Sequence, residues 1–229
     1  FVEKPLCIRP EDLDEIRELS SRHSNQSLTV GFNRRFAPLA VELKSRLCPG
    51  PLSMLYRISA GAIPAGTWIQ DTEIGGGRIL GEVCHFVDFL TWMCGSLPTL
   101  VYANVLPDAN GLNDTISVNL SFANGSIGTI SYFANGSKEL PKEYIEVFSS
   151  GRTGVIEDFR QMQVYGNGKP LRRRLLSQDK GQSQMVRQLL QSVKTEGAPL
   201  IAADEIFAVT QTCFAVLDSI RTRQSVGIE

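Results

Sequence analysis

Thr115-Ile116-Ser117-Val118-Asn119-Leu120-Ser121-Phe122-Ala123-Asn124-Gly125-Ser126-Ile127-Gly128-Thr129-Ile130-Ser131-Tyr132-Phe133 is the stretch that decides the fold. Ile116, Val118, Leu120 and Phe122 alternate with polar residues, so an extended chain here has one apolar face, the pattern of a half-buried strand. Asn124-Gly125 then offers the two positions that tolerate a tight hairpin turn, and an extended pattern resumes at Ser126. Outward from this hairpin the sequence predicts strands at 53–60, 100–105, 115–122, 126–133, 143–149 and 154–158, and a shorter one at 163–165. The Asn-Gly turns at Asn124 and Asn135 make them antiparallel neighbours in a large open meander sheet.

Helices frame this sheet. Leu13, Ile16 and Leu19 stand at helical spacing within 10–22, and further helices are expected at 36–47, from Arg78 to about Cys94, at 183–196 and at 203–223. Pro49-Gly50-Pro51 and Gly197-Ala198-Pro199 separate them from their neighbours. Extended segments at 2–5 and 28–33 flank the first helix as a strand-helix-strand unit. The order predicts an α+β fold: a βαβ unit, then a large open, mostly antiparallel sheet with helices on one face. Those helices suffice for one face only, and the uncovered face is expected to join copies of the chain into a homo-oligomer. Whether Tyr132 or Phe133 points to the core is open at this level.

Charge excludes some partners. Among 229 residues, 23 Lys and Arg balance 24 Asp and Glu, so no overall positive field attracts nucleic acid or anionic lipid. The one tight basic run, Arg172-Arg173-Arg174, reads as a solvated loop or a strand edge. Cys7, Cys48, Cys84, Cys94 and Cys213 are odd in number and form no CxxC pair, which argues for free thiols and against a disulfide framework or structural zinc. Cys84 and His85 are adjacent and diverge by about 100° on a helix, a poor geometry for a nucleophile and its base. No apolar run spans a bilayer and no signal peptide is visible, so a cytoplasmic location is the expectation. Sequons such as those at Asn25, Asn113, Asn124 and Asn135 carry little weight without a secretory signal, and Asn124-Gly125 and Asn135-Gly136 are better read as turn formers.

The chemistry concentrates in Gly75-Gly76-Gly77-Arg78-Ile79-Leu80-Gly81-Glu82-Val83-Cys84-His85-Phe86-Val87-Asp88, which carries one of only two histidines. On a helix opening at Arg78, Gly81, Glu82, His85 and Asp88 lie on neighbouring turns, a candidate proton-handling set. The glycines would let a polar ligand approach the free amides of the helix start. The same segment also fits a glycine-containing loop before an ordinary core helix, with His85 hydrogen-bonded as a structural residue. Trp68 and Asp71, on the loop entering the glycines, are candidate substrate contacts, and loop packing explains them equally well.

Glu3-Lys4-Pro5, then Gly31-Phe32-Asn33-Arg34-Arg35-Phe36 with Pro38, then Gly75-Gly76-Gly77 with His85 and Asp88, together resemble the Gfo/Idh/MocA oxidoreductases. The Pro199 loop and the last helix with Ser219 extend the resemblance over nearly the whole chain. It implies a dehydrogenase using NAD or NADP and acting on a sugar, polyol or derivative. Residues 1–33 would be the end of a Rossmann domain and 34–229 an α+β substrate-binding and oligomerisation domain. It also implies that Glu3, Lys4 and Pro5 lie beside the nicotinamide, with Lys4 next to the reacting hydroxyl and Lys4-Pro5 as a candidate cis bond. His85 would contact the substrate or relay its proton, with Gly76 and Gly77 lining the substrate site.

Two departures from the family pattern matter. The family's helix usually reads Asp-x-Gly-x-His, and the aspartate position is here Gly81; Glu82 or Asp88 could compensate, or Lys4 and His85 act alone. No Gly-x-Gly-x-x-Gly occurs, so the dinucleotide glycines would lie upstream of Phe1 and this chain alone should bind the cofactor weakly. The version of the helix found here resembles the branch fused behind a zinc-dependent alcohol-dehydrogenase-like half. The alternative function is a non-catalytic dimerisation or scaffold module of such a fused dehydrogenase.

Overall fold

A computed structural model describes residues 1–23, 26–64, 66–108, 111–166, 168–195 and 197–228. The fold is α+β, with a nine-stranded sheet in the order β8-β7-β6-β5-β1-β4-β3-β2-β9. The strands are β1 (Ser53–Ser59), β2 (Pro98–Val105), β3 (Ile116–Phe122), β4 (Ile127–Phe133), β5 (Glu143–Ser149), β6 (Arg152–Glu157), β7 (Gln161–Tyr165), β8 (Leu171–Arg174) and β9 (Val226–Gly227). The helices are α1 (Pro10–Arg22), α2 (Pro38–Arg46), α3 (Cys84–Cys94), α4 (Gln182–Thr195) and α5 (Ala203–Thr222). Among the described residues, no helix is long and apolar enough to cross a membrane. Glu196, where the sequence ends the fourth helix, lies outside the described residues, as does Asn25 of the first sequon.

β3 and β4 pair antiparallel across Asn124-Gly125, as the sequence predicts. The simple meander does not hold. β1 lies between β4 and β5, parallel to β4 and antiparallel to β5. The connection 134–142, which holds Asn135-Gly136, therefore steps across the width of β1 instead of closing a two-residue hairpin. Every other pairing is antiparallel. The arginine run forms β8 at the sheet edge, where its charges discourage further strand pairing.

Met54, Tyr56 and Ile58 of β1, Val118 and Leu120 of β3, Ile130 and Tyr132 of β4, and Ile145 and Val147 of β5 all point to one buried face. Tyr132 is thus the inward residue, while Phe133 is 37% exposed on the other face. α3 packs between this face and α5, and burying it on all sides suits a helix that reads Phe86-Val87-Asp88-Phe89-Leu90. Gly95 ends α3 in the left-handed region, with φ 64°.

The N-terminal unit is shorter than its sequence suggests. Val2 and Val30 make a single parallel bridge, through Val2 N–H to the Thr29 carbonyl at 2.9 Å and Gly31 N–H to the Val2 carbonyl at 2.9 Å, with α1 crossing over between them. Pro5 has no amide to continue the pairing, and the chain enters a 3₁₀ turn at Asn33–Phe36. The Lys4-Pro5 peptide is cis.

Candidate active site

Gly76 and Gly77 take consecutive left-handed conformations, φ 70° and 71°, and a Cβ at Gly76 would lie 2.8 Å from Cγ2 of Ile8. Glycine is what this turn requires. The helix that follows is not α-helical from its start: Ile79–Val83 form a π-helical turn, and the regular ladder begins at Cys84. A π turn inserts an extra residue and redirects the side chains on either side of it. Lys4 donates its ammonium hydrogen bond to the main-chain carbonyl of Gly81 on this turn.

His85 lies one turn further on. Its ring is buried, edge-on to Phe32 with centroids 6.2 Å apart, and its Nδ1 has no hydrogen-bond partner among the described residues. Burial first, then the charges of Arg34, Lys4, Lys142 and Lys180, push the imidazole well below its ordinary range. A neutral ring with a free nitrogen is available as a hydrogen-bond partner for a substrate hydroxyl.

Glu82 and Asp88 go different ways. Glu82 accepts from the Tyr132 hydroxyl at 2.9 Å and lies 3.5 Å from Lys142 Nζ and 3.8 Å from Arg78 Nε. Burial raises its carboxyl, but Lys142, Arg78, the Tyr132 hydroxyl and Lys4 outweigh that and the net shift is downward. Lys4, Glu82 and His85 thus share one electrostatic neighbourhood. Asp88 is fully buried against Arg35, with contacts of 2.5 and 3.2 Å, and Arg35 reaches on to Glu205 at 2.7 Å. Its hydrogen-bonding capacity is committed to holding α3 to the 33–36 turn.

Several neighbours of the site are not apparent in the motifs. Glu143, at the start of β5, receives Arg34 at 2.7 and 3.0 Å, Lys180 at 2.7 Å and the Tyr56 hydroxyl. Burial raises this carboxyl, yet Arg34 and Lys180 hold it down at about 2. Its signal in the sequence is parity: Glu143 shares the inward register of Ile145 and Val147, where a lone carboxylate needs partners. Arg78 donates to the Gly61 carbonyl at 2.8 Å, approaches Asp114 at 3.4 Å and stacks 5.0 Å over the Tyr132 ring.

The remaining candidates are peripheral. Trp68 is 62% exposed. Asp71 accepts the amides of Glu73 and Ile74 at 2.8 and 3.1 Å, which shapes the loop before the glycines. Glu3 is exposed and borders Gly31, whose added Cβ would lie 2.9 Å from Glu3 Oε2. A cavity of about 580 Å³ between α1 and α5, bordered by Leu28, Leu97, Pro199 and Phe207, contains none of these groups.

Residues 52–157 match the model of the GFO/IDH/MocA C-terminal domain. The chain is 26% identical over 174 residues to YrbE of Bacillus subtilis, named an uncharacterized oxidoreductase, a match covering 72% of this chain and 50% of that protein. The chain spans about half the length of the curated relatives it matches. Its fold resembles an NAD binding oxidoreductase from Klebsiella pneumoniae, with TM-score 0.83, 17% identity, and 99% and 72% of the two chains covered. It also resembles an aldose-aldose oxidoreductase from Caulobacter crescentus, with TM-score 0.81, 17% identity, and 99% and 71% covered. Residues 52–157, which hold β1 to β6 and the glycine-opened helix, are therefore similar to the C-terminal domain of the Gfo/Idh/MocA family.

Proposed function

We propose that this chain is the substrate-binding portion of a nicotinamide-dependent oxidoreductase that interconverts a hydroxyl and a carbonyl on a sugar, a polyol or a derivative. The observation that carries the reading is the meeting of Lys4 and His85 around the π turn: Lys4 on the Gly81 carbonyl, and His85 one turn on with a buried, unpartnered Nδ1. The nicotinamide, NAD or NADP, would supply the hydride acceptor. Lys4 would act on the reacting oxygen as base or acid, and His85, kept neutral by burial and by four neighbouring cations, would contact the hydroxyl as its hydrogen-bond ligand. Glu82 would hold Lys142 by an ion pair and act on Lys4 through its charge alone, standing in for the family's usual carboxylate at position 81. Asp88 is left out of this set because Arg35 occupies it.

Lys4→Ala and His85→Ala in the full-length gene product test the assignment. Turnover is expected to fall by at least about 100-fold in each, in line with the loss of a general acid or base at Lys4 and of the ligand that positions the hydroxyl at His85. Unchanged turnover in either would remove that residue from the mechanism. The chain alone holds no Gly-x-Gly-x-x-Gly turn for a pyrophosphate, so it should bind NAD(H) and NADP(H) weakly. Micromolar affinity by calorimetry would contradict this. The outer sheet face, with Leu55, Phe133 and Phe148, is the proposed homo-oligomer surface, and a monomer in sedimentation at high concentration would count against it.

A further inference from the structure

The charges around His85 do not balance. Arg34 and Lys180 share a single carboxylate, Glu143. Arg78 and Lys142 are matched by Glu82 and Asp114. Lys4 donates only to a main-chain carbonyl and has no carboxylate within 4 Å among the described residues. Five cations thus face three carboxylates, an excess of two positive charges. The Arg34 and Lys180 side chains are 8% and 16% exposed, so water screens little of that excess. Beside them the buried Nδ1 of His85 has no partner.

We propose that the substrate carries an anionic group, a carboxylate or a phosphate, bound by Lys4 and by the Arg34 and Lys180 pair next to His85. The inference rests on the sugar-site reading above and adds the charge of the substrate to it. A neutral sugar would leave the excess charge uncompensated in a poorly hydrated site. An anion discharges it through charge-assisted hydrogen bonds to the guanidinium and ammonium groups. The same cations that hold His85 neutral would then be partly neutralised by the ligand, so its binding should be felt at the imidazole.

Calorimetry and histidine-ring NMR on this chain test the proposal, with D-glucuronate, D-glucose 6-phosphate and D-glucose as probes at low ionic strength. His23 and His85 are the only histidines, so the ring signals are assignable with one substitution. At least one anionic sugar is expected to bind roughly ten-fold or more tighter than glucose, to shift the His85 signals and not those of His23, and to lose its advantage at high salt. Preference for glucuronate identifies a carboxylate; preference for glucose 6-phosphate identifies a phosphate. The advantage should disappear in Lys4→Met and in Lys180→Met, with thermal melts confirming that each is folded. Glucose binding as tightly as both anions would overturn the anionic assignment and leave the sugar site standing. An anion whose advantage survives in both variants would also overturn it. If none of the three moves the His85 ring, both readings fall.

Discussion

The Lys4 ammonium is hydrogen-bonded to the main-chain carbonyl of Gly81, 77 residues further along the chain. The contact is to backbone, so it does not depend on a side chain at position 81. A Cβ there would meet only the Gly75 carbonyl oxygen, at an ordinary 3.5 Å, and Gly81 is not in the left-handed region. Gly81→Ala is therefore expected to stabilise the fold by about 0.5–1 kcal/mol through helix propensity. Gly76→Ala should destabilise it, because its backbone is left-handed and Ile8 blocks the Cβ. Thermal melts of the two variants check the pair: a loss at position 81 would show that the π turn requires glycine.

If Glu82 acts in place of the family's usual carboxylate, Glu82→Gln in the full-length gene product should lower turnover by about 10- to 100-fold. It keeps the size of the side chain and removes the charge that faces Lys142 and Arg78. Placing an aspartate at position 81 of that variant, Gly81→Asp, should recover part of the loss, since the new carboxylate would sit on the residue Lys4 already touches. Steady-state kinetics on the single and double variants measure this, and a double variant no better than Glu82→Gln would mean that Glu82 is not the substitute.

How far the sequence reveals this arrangement depends on the range of the interaction. Alternation at Ile116 to Phe122 and the Asn124-Gly125 turn are local, and β3, β4 and the buried face follow from them. The place of β1 between β4 and β5 depends on pairings between distant segments that no local pattern encodes. The glycine-opened helix is visible, but the π turn is not, so Glu82 and Asp88 look equivalent until their partners are known. Tyr132, Lys142 and Arg35 decide between them from three other elements. Lys180 stands on a loop with no motif, and only the inward parity of Glu143 hints that a cation must come to meet it.

Asp88→Ala should cost about 3–5 kcal/mol, because it leaves the buried Arg35 guanidinium with only Glu205. Burial pushes the Asp88 carboxyl up to about 6 from 3.8, against the opposing pull of Arg35. A folded-state value above the unfolded one means that the native state holds the proton more tightly, so this group's contribution falls as pH rises from about 4 to about 6. Asp88→Asn should remove that falling limb from a stability-against-pH curve obtained by urea unfolding. A variant with the wild-type limb would assign it to another group.

Glu143 titrates with the opposite sign. Burial alone would raise its carboxyl, but Arg34 and Lys180 bring it from 4.5 down to about 2. Its folded value lies below its unfolded value, so its stabilisation is fully present above about 4.5 and is lost as pH falls toward about 2. At roughly 1.4 kcal/mol per unit the effect is on the order of 3 kcal/mol. His85 adds to the same trend at higher pH, since a ring held neutral in the fold is protonated more readily in the unfolded chain below about 6.5. Glu143→Gln should therefore lower stability at pH 7, where it leaves Arg34 and Lys180 buried without a carboxylate, and flatten the decline between pH 4.5 and pH 2. Urea unfolding across that range measures both effects. A variant that loses stability at pH 7 yet keeps the full acid decline would show that other carboxylates, not Glu143, set the acid limit of the fold.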